Sequence, residues 1–247
     1  MSLRAARRAV TLGLALLCCF FYSLWMRLTG PDTMDRRALW LHQCARFVMR
    51  MLGVRLTVTG TPPKGGLLVA NHLSYLDIMI FGAALPCHLV SKVQISHWPF
   101  FGTLARACGT IFVDRQSRAS AELVTEQIAE RLKGPAPVLF FPEGTSTDGT
   151  ELLRFHSRFY TPAVKEGIPV TTAAIRYVPE DGTPERELCW FGDADFLPHL
   201  VKSLGGPNFS AEVSFGEPHV YASRRAAADA TWTEIAAMRE VDVLTPQ

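Results

Sequence analysis

From Val54 onwards, short apolar segments of strand length alternate with segments of helical periodicity, and this alternation restricts the fold more than any other feature. The strand-like segments are bounded by Gly or Pro, and they are VRLTVTG, GGLLVA, HLVSK, GTIFVDR, APVLFFPEG, IPVTTAAIRY, RELCWFG and AEVSFGEP. Residues 117–134, 156–167 and 224–241 have helical spacing, and the first of them has Ser117 or Ser120 as N-cap and Gly134 as stop. The alternation predicts an α/β fold with a mostly buried, mixed or parallel sheet flanked by helices.

The first 53 residues have a different character. Residues 9–26 form an uncharged stretch of 18 residues, at the short end for a transmembrane helix. Residues 34–53 place apolar side chains at helical spacing among arginines, which predicts a basic amphipathic helix ending at Gly53. We expect a two-helix membrane hairpin over residues 1–53, followed by one α/β domain over residues 54–247. A cleaved signal peptide and an ordinary core-facing second helix are the alternatives.

Charge and cysteine usage restrict the partners and the compartment. Residues 1–50 hold eight arginines and two aspartates, a net charge of +6, although the whole chain carries only +2. A basic and apolar region indicates anionic lipid rather than nucleic acid. Six cysteines without a CxxC pair indicate a reducing compartment and no disulfide framework. The seven histidines show neither HxxxH nor HExxH, so no metal site is predicted.

Polar side chains are concentrated in NHLSYLD, residues 71–77, between an apolar strand and an apolar helical segment. His72 should lie in the turn at the carboxyl edge of the strand, where α/β proteins place ligands. Asp77 should lie on the first turn of the following helix, where its carboxylate can accept the Nδ1 proton of His72 and leave Nε2 free. Since an unperturbed histidine titrates near pH 6.5, such a pair suits general-base catalysis at neutral pH.

The same segment has two other interpretations. Asn71 or Ser74 could cap the helix, with Asp77 placed to favour its N-terminus and His72 a satisfied turn residue. A Ser–His–Asp hydrolase with Ser74 as nucleophile is a weaker hypothesis, because no G-x-S-x-G motif surrounds this serine.

Two further strand ends carry polar side chains. GTIFVDR ends in Arg115, whose fork of donors suits a phosphate, and VLFFPEGTSTDGT places Glu143, Thr145, Ser146 and Asp148 in a turn. Singly, such an arginine is more often a surface ion pair, and such a turn is more often only a turn. Together with His72, they could converge on one cleft.

The segments also resemble those of a known family. NHLSYLD is similar to the NHx₄D signature of the glycerolipid acyltransferases, and GTIFVDR, FPEGTS and IPVTTAAIRY resemble the second, third and fourth blocks of that family, in family order within residues 54–180. Within the family, the 1-acylglycerol-3-phosphate (lysophosphatidic acid) acyltransferases are most similar, and they typically have an N-terminal hydrophobic segment too. Residues 54–247 are therefore expected to be an acyltransferase domain.

The resemblance implies a reaction and a set of site residues. His72 would deprotonate the acceptor hydroxyl, with Asp77 orienting it, and the hydroxyl would attack the thioester of acyl-CoA or acyl-carrier protein without a covalent acyl-enzyme or any cofactor. Arg115 would bind the acceptor's phosphate. Further substrate contacts are expected from Asn71, Ser74, Lys92, Glu143, Gly144, Thr145 and Ser146.

Two departures from the family pattern concern the acceptor. Gln94 stands where many relatives carry Glu, and residues 156–158 are His-Ser-Arg where others have Lys-x-Gly. The leading hypothesis is acylation of 1-acylglycerol-3-phosphate to phosphatidic acid, and a lyso-lipid built on an amino acid is the alternative. A membrane-anchored lipid-binding protein is the hypothesis from another class. Because thioester donors are cytoplasmic, we expect membrane association at the cytoplasmic face, most simply of a bacterial inner membrane.

Overall fold

The computed structural model describes residues 2–98, 100–114 and 117–241. The strands are β1 (Arg55–Thr59), β2 (Leu67–Ala70), β3 (His88–Lys92), β4 (Ile111–Val113), β5 (Val138–Phe140), β6 (Val170–Pro179) and β7 (Phe209–Phe215). The helices are α1 (Leu3–Leu28), α2 (Met34–Leu52), α3 (Leu76–Ala84), α4 (Phe101–Ala107), α5 (Arg118–Arg131), α6 (Thr161–Lys165), α7 (Phe196–Gly205) and α8 (Arg224–Arg239).

One sheet contains all seven strands, in the order β1-β7-β6-β2-β5-β3-β4. Every neighbouring pair is parallel except β6 and β7, which are antiparallel. The predicted fold class is therefore confirmed: a largely parallel sheet flanked by helices. Because β2, β5, β3 and β4 all run the same way, their carboxyl ends meet at one edge of the sheet.

The sheet is buried on both faces, which explains the continuous apolar character of its central strands. Leu68 of β2 faces a core formed with α1, α2 and α3, whereas its neighbour Leu67 faces a second core formed with α5, α6 and α8. This alternation follows from the opposite directions of successive side chains along a strand. The molecule is thus a three-layer α/β/α arrangement with the sheet in the middle.

Local signals explain where several helices begin and end. The Ser117 side chain accepts a hydrogen bond from the backbone N–H of Ser120 and caps α5, as predicted. Gly53 ends α2 in the left-handed conformation, which glycine adopts at little cost. Residues 156–167 form a 3₁₀ turn at Ser157–Tyr160 and then the short α6, rather than one continuous helix.

The prediction of a strand at RELCWFG is wrong. Glu185–Glu187 is a 3₁₀ turn and the following residues form a loop without strand pairing. Leu188 and Cys189 are nevertheless buried, because the loop packs its apolar side chains onto the core. A short apolar segment indicates that its residues are buried, and burial alone does not distinguish a strand from a packed loop.

The N-terminal helices pack on the α/β unit in unequal ways. The apolar face of α2, including Trp40, Leu41 and Val48, is buried inside the protein, as in the core-facing alternative. By contrast, α1 is long and apolar enough to cross a membrane, and only 11% of its apolar 18-residue segment is buried inside the protein. Phe21 and Trp25 of α1 are more than half exposed. The exposed apolar surface predicted for both helices therefore belongs mainly to α1.

Candidate active site

His72 and Asp77 form a hydrogen-bonded pair at the carboxyl edge of the sheet. His72 follows β2, Asp77 lies in the first turn of α3, and Nδ1 of His72 lies 2.7 Å from Oδ2 of Asp77. The imidazole stacks on Phe141, with ring centroids 4.2 Å apart and an interplanar angle of 13°. The histidine side chain keeps 19% of its surface exposed, so it is held in place and still reachable. Within the described part of the chain, no hydrogen bond engages Nε2.

The carboxylate of Asp77 is fully buried and surrounded by donors. Besides His72, its Oδ2 accepts the backbone N–H groups of Leu73 at 2.7 Å and Ser74 at 3.1 Å. The hydroxyl of Tyr177 donates to the other oxygen, Oδ1. These bonds compensate the cost of burying the carboxyl group, and they fix the plane in which Oδ2 meets the imidazole.

Glu143 approaches His72 from the neighbouring strand end. Its Oε1 accepts the backbone N–H of His72 at 2.7 Å, and its Oε2 accepts that of Leu153 at 3.1 Å. Burial raises the pKa of Glu143 to about 8, against the lowering effect of these two backbone donors. The carboxyl group thus contacts the backbone that carries His72.

Asn71 uses its amide group as a substitute for a strand partner. Beyond Ala70 the pairing of β2 with β6 ends, and the Asn71 side chain bonds both backbone groups of Ile175 instead. Its Oδ1 accepts the Ile175 N–H at 2.8 Å, and its Nδ2 donates to the Ile175 carbonyl at 3.1 Å. An amide offers both an acceptor and a donor, so this buried asparagine ties the start of the His72 turn to β6.

The turn after β5 brings the third predicted segment to His72. The backbone N–H of Thr147 donates to the His72 carbonyl at 2.9 Å, so the two segments are joined directly. Gly144 is buried with φ of +81°, a conformation that favours glycine, whereas Thr145 is exposed. The Ser146 hydroxyl donates to the carbonyl of Trp190.

The other predicted site residues are placed as follows. Ser74 is completely buried, and its hydroxyl accepts a long hydrogen bond, 3.4 Å, from the N–H of Leu76. Lys92 is exposed at the end of β3, on the same sheet edge as His72. Arg115 lies outside the described residues. His156, the other histidine singled out by the sequence, is exposed and donates its backbone N–H to Pro142.

An apolar cavity of about 230 Å³ lies between the N-terminal helices and the α/β unit. It reaches Tyr75 and Leu76 at the start of α3, next to Asp77, and extends to Arg8 and Asn208. Its walls come mainly from α1, α2, α3, α4 and α7 and from the segment between β3 and α4, and they include Leu12, Leu16, Val48, Met49, Met79, Ile95, Trp98, Phe101, Leu104, Phe196 and Leu200. A space of this lining accepts an apolar chain rather than a polar ligand.

Three residues that contact the pair or its turn were not predicted from the sequence. Phe141 supports the ring, Tyr177 donates to Asp77, and the backbone N–H of Trp190 donates to the carbonyl of Leu73 at 2.9 Å. Tyr177 could be suspected only as an aromatic residue with a hydroxyl in an otherwise apolar strand, IPVTTAAIRY. Trp190 lies in the segment that was predicted to be a strand.

Comparisons with known proteins identify the family of this chain. A family model described as Acyltransferase matches residues 55–176. A "Lyso-ornithine lipid O-acyltransferase" of Pseudomonas aeruginosa is 35% identical over 217 residues, which cover 87% of this chain and 83% of the relative. A "1-acyl-sn-glycerol-3-phosphate acyltransferase" of Neisseria meningitidis is 34% identical over 156 residues, covering 62% of this chain and 60% of the relative.

A solved structure has the same fold. The crystal structure of the 1-acyl-sn-glycerophosphate acyltransferase PlsC from Thermotoga maritima superposes with a TM-score of 0.66, at 19% identity, over 94% of this chain and 96% of that chain. At this identity the likeness concerns the fold. The sequence relatives carry the stronger conclusion, and they confirm the resemblance noted in the four motifs: this chain belongs to the acyltransferase family.

Proposed function

We propose that this acyltransferase uses His72 as a general base to transfer a fatty acyl chain from a thioester to the hydroxyl of a lyso-lipid. The observation that carries the proposal is the 2.7 Å contact between Nδ1 of His72 and Asp77. With Nδ1 donating its proton to the carboxylate, Nε2 is the acceptor nitrogen, and the imidazole is partly exposed to a substrate. The buried carboxylate stabilises the imidazolium that forms when Nε2 takes a proton.

The reaction balances without a covalent acyl-enzyme. Nε2 of His72 takes the hydroxyl proton as the acceptor oxygen attacks the thioester carbonyl, so a new C–O bond forms. The tetrahedral intermediate then collapses with cleavage of the C–S bond, and the leaving thiolate recovers the proton from His72. The products are an ester and a thiol. The complete burial of Ser74 supports direct transfer over a serine nucleophile.

The donor's acyl chain is proposed to lie in the apolar cavity. This cavity reaches α3 beside Asp77, and its lining is almost entirely apolar. Burying a hydrocarbon chain there removes about 25 cal/mol of unfavourable hydration for each Å² of apolar surface. The same cavity would place the thioester end of the chain near the His72 turn.

For the acceptor, we propose a lyso-lipid with an amino-acid headgroup, and lysophosphatidic acid is the second candidate. The Pseudomonas aeruginosa relative, named for lyso-ornithine lipid, matches 87% of this chain, whereas the Neisseria meningitidis relative, named for 1-acyl-sn-glycerol-3-phosphate, matches 62%. The departure at residues 156–158 from the usual Lys-x-Gly supports the same choice. The second candidate is supported by the four motifs.

An acceptor panel tests both the reaction and the acceptor. Purified protein receives radiolabelled acyl-CoA, or acyl-carrier protein, with lyso-ornithine lipid, lysophosphatidic acid or no acceptor. We expect label in ornithine lipid. Label only in phosphatidic acid would overturn the acceptor, and label only in free fatty acid would overturn acyl transfer itself.

Membrane association is proposed to depend on α1 and to occur at the cytoplasmic face. Leu14 and Phe21 of α1 are 60% and 59% exposed, and exposed apolar surface of this kind favours a bilayer. Replacing both with Asp should abolish flotation with anionic vesicles. Leu123→Asp is the matched control, because Leu123 is 58% exposed on α5, on the other side of the sheet. Equal flotation of the α1 variant and the wild type would contradict this assignment.

The cytoplasmic face is proposed because the thioester donors are made there. Protease added outside spheroplasts should leave the α/β unit intact, and cleavage before lysis would place it on the opposite side.

A further inference from the structure

Tyr177 is a fully buried tyrosine that meets the catalytic pair from the far side. It lies on β6, a hundred residues after Asp77 in the chain, and its hydroxyl donates to Oδ1 of Asp77. Burial raises the pKa of Tyr177 well above its ordinary value, and the nearby Asp77 carboxylate adds to this effect. The phenol therefore remains protonated and acts as a donor.

The two carboxylate oxygens of Asp77 have different partners. Oδ2 is shared by the His72 ring and the backbone N–H groups of Leu73 and Ser74. Among the described residues, Tyr177 is the one group that donates a hydrogen bond to Oδ1. Because the Asp77 carboxylate is completely buried, solvent water does not take the place of the Tyr177 hydroxyl as its donor.

Tyr177 is itself held by an ion pair between the C-terminal helix and a turn. Its backbone N–H donates to Oε1 of Glu185 at 2.6 Å. Arg239 of α8 binds both oxygens of Glu185, at 2.8 and 3.0 Å, and donates to the Ile175 carbonyl at 2.9 Å. The strand segment that presents the phenol is thus fixed from α8, outside the four sequence motifs.

We propose that Tyr177 is a positioning residue that orients the Asp77 carboxylate toward His72 and limits how strongly this carboxylate holds the imidazolium. The proposal rests on the proposed role of His72 as general base. A carboxylate with donors at both oxygens presents Oδ2 to Nδ1 in one plane. Donation from the phenol also withdraws negative charge from Oδ2, so that the imidazolium can return its proton to the leaving thiolate.

Tyr177→Phe removes the hydroxyl and keeps the ring. A carboxylate with one donor fewer holds the imidazolium more tightly, so the acid limb of the pH profile of kcat/KM should move up by about one pH unit. At pH 7, kcat/KM should fall by about 10- to 100-fold, the range for losing a hydrogen bond to a charged group, and part of this loss should be recovered at pH 8.5.

Tyr160→Phe is the matched control. Tyr160 is also completely buried, and its hydroxyl bonds Thr231 at 2.8 Å in the core on the other side of the sheet. This variant loses the same phenol hydroxyl from an equally buried site and should keep the wild-type pH profile.

The experiment compares thioester cleavage by the wild type, both Tyr variants, Asp77→Asn, the double variant Tyr177→Phe/Asp77→Asn and His72→Ala. If Tyr177 acts through Asp77, its removal in the Asp77→Asn background should change kcat by less than about threefold. An unchanged acid limb, additive effects in the double variant, or failure of Tyr177→Phe to fold while Tyr160→Phe folds would each overturn the proposal. Wild-type activity of His72→Ala would instead overturn the proposed general base, so the two failures are distinguishable.

Discussion

Replacing Asp77 with Asn separates the charge of this residue from its hydrogen-bonding geometry. The remaining amide oxygen can still accept from His72, Leu73 and Ser74 at the Oδ2 position. The new amide N–H can donate to the Tyr177 hydroxyl, whose proton can rotate away. The variant should therefore fold, and it lacks only the negative charge opposite the imidazole.

The size of the effect follows from the distance. Nδ1 and Oδ2 are 2.7 Å apart, and their delocalised charges are centred about 4 Å apart, where two unit charges attract by about 4 kcal/mol at an effective dielectric constant of about 20. The Asp77→Asn variant lacks this attraction when His72 becomes charged in the transition state. A loss of that size lowers kcat by about 10³-fold, since 1.36 kcal/mol corresponds to one factor of ten.

The assay follows thiol release from acyl-CoA with a saturating lyso-lipid acceptor. We expect a loss in kcat with little change in either KM, because the charge matters only after proton transfer. Asp193→Asn, which makes the same change at an exposed aspartate, is the control and should behave as the wild type. A folded Asp77→Asn enzyme with kcat within threefold of the wild type would refute the charge-based role of Asp77.

Three further predictions concern the surroundings of the pair. Because the pKa of Glu143 is about 8 in the folded state and 4.5 ordinarily, the folded state holds a proton that the unfolded chain has released between these pH values. As the pH rises between these values, the unfolding free energy of the wild type should therefore fall by up to about 1.4 kcal/mol per pH unit relative to that of Glu143→Gln, as measured by urea titration. Asn71→Ala leaves the buried Ile175 N–H without its acceptor and should lower the unfolding free energy by about 1–3 kcal/mol, again by urea titration. Met79→Trp fills part of the apolar cavity and should shift donor preference toward shorter acyl-CoA chains in a chain-length series.

Each of these predictions has an outcome that contradicts it. Parallel pH dependences for Glu143→Gln and the wild type would show that the carboxyl is not held neutral. A change below about 0.5 kcal/mol for Asn71→Ala would mean that Ile175 finds another partner. An unchanged chain-length preference for Met79→Trp, with Leu123→Trp as the surface control, would place the acyl chain elsewhere.

The fold was predictable because its central strands are buried on both faces and so appear as uninterrupted apolar segments. The same rule failed at Leu188 and Cys189, which are equally buried in a loop. Apolar patterning also did not distinguish the helix that is exposed from the helix that is buried. The apolar face of α2 packs inside the protein, whereas α1 remains exposed. Burial by tertiary packing leaves the same local pattern as burial in a bilayer.

Within the site, the contact between His72 and Asp77 was predictable because a short turn joins a strand end to a helix start. The contacts of Glu143 and Asn71 with backbone groups were not, since they depend on which strands are neighbours. That β2 lies between β5 and β6 is a result of the whole chain's packing. Tyr177 was missed for the same reason, because its partner lies a hundred residues away.

The role of His72 as the base is tested most directly by the rate of acyl transfer by His72→Gln, which keeps a polar side chain of similar size but has no base. We expect a loss of kcat of at least about 10²-fold, the usual contribution of a general base, with lyso-lipid binding retained. His219→Gln, at an exposed histidine, should remain fully active. A folded His72→Gln enzyme that turns over at a rate close to that of the wild type would contradict the assignment of His72 as the base.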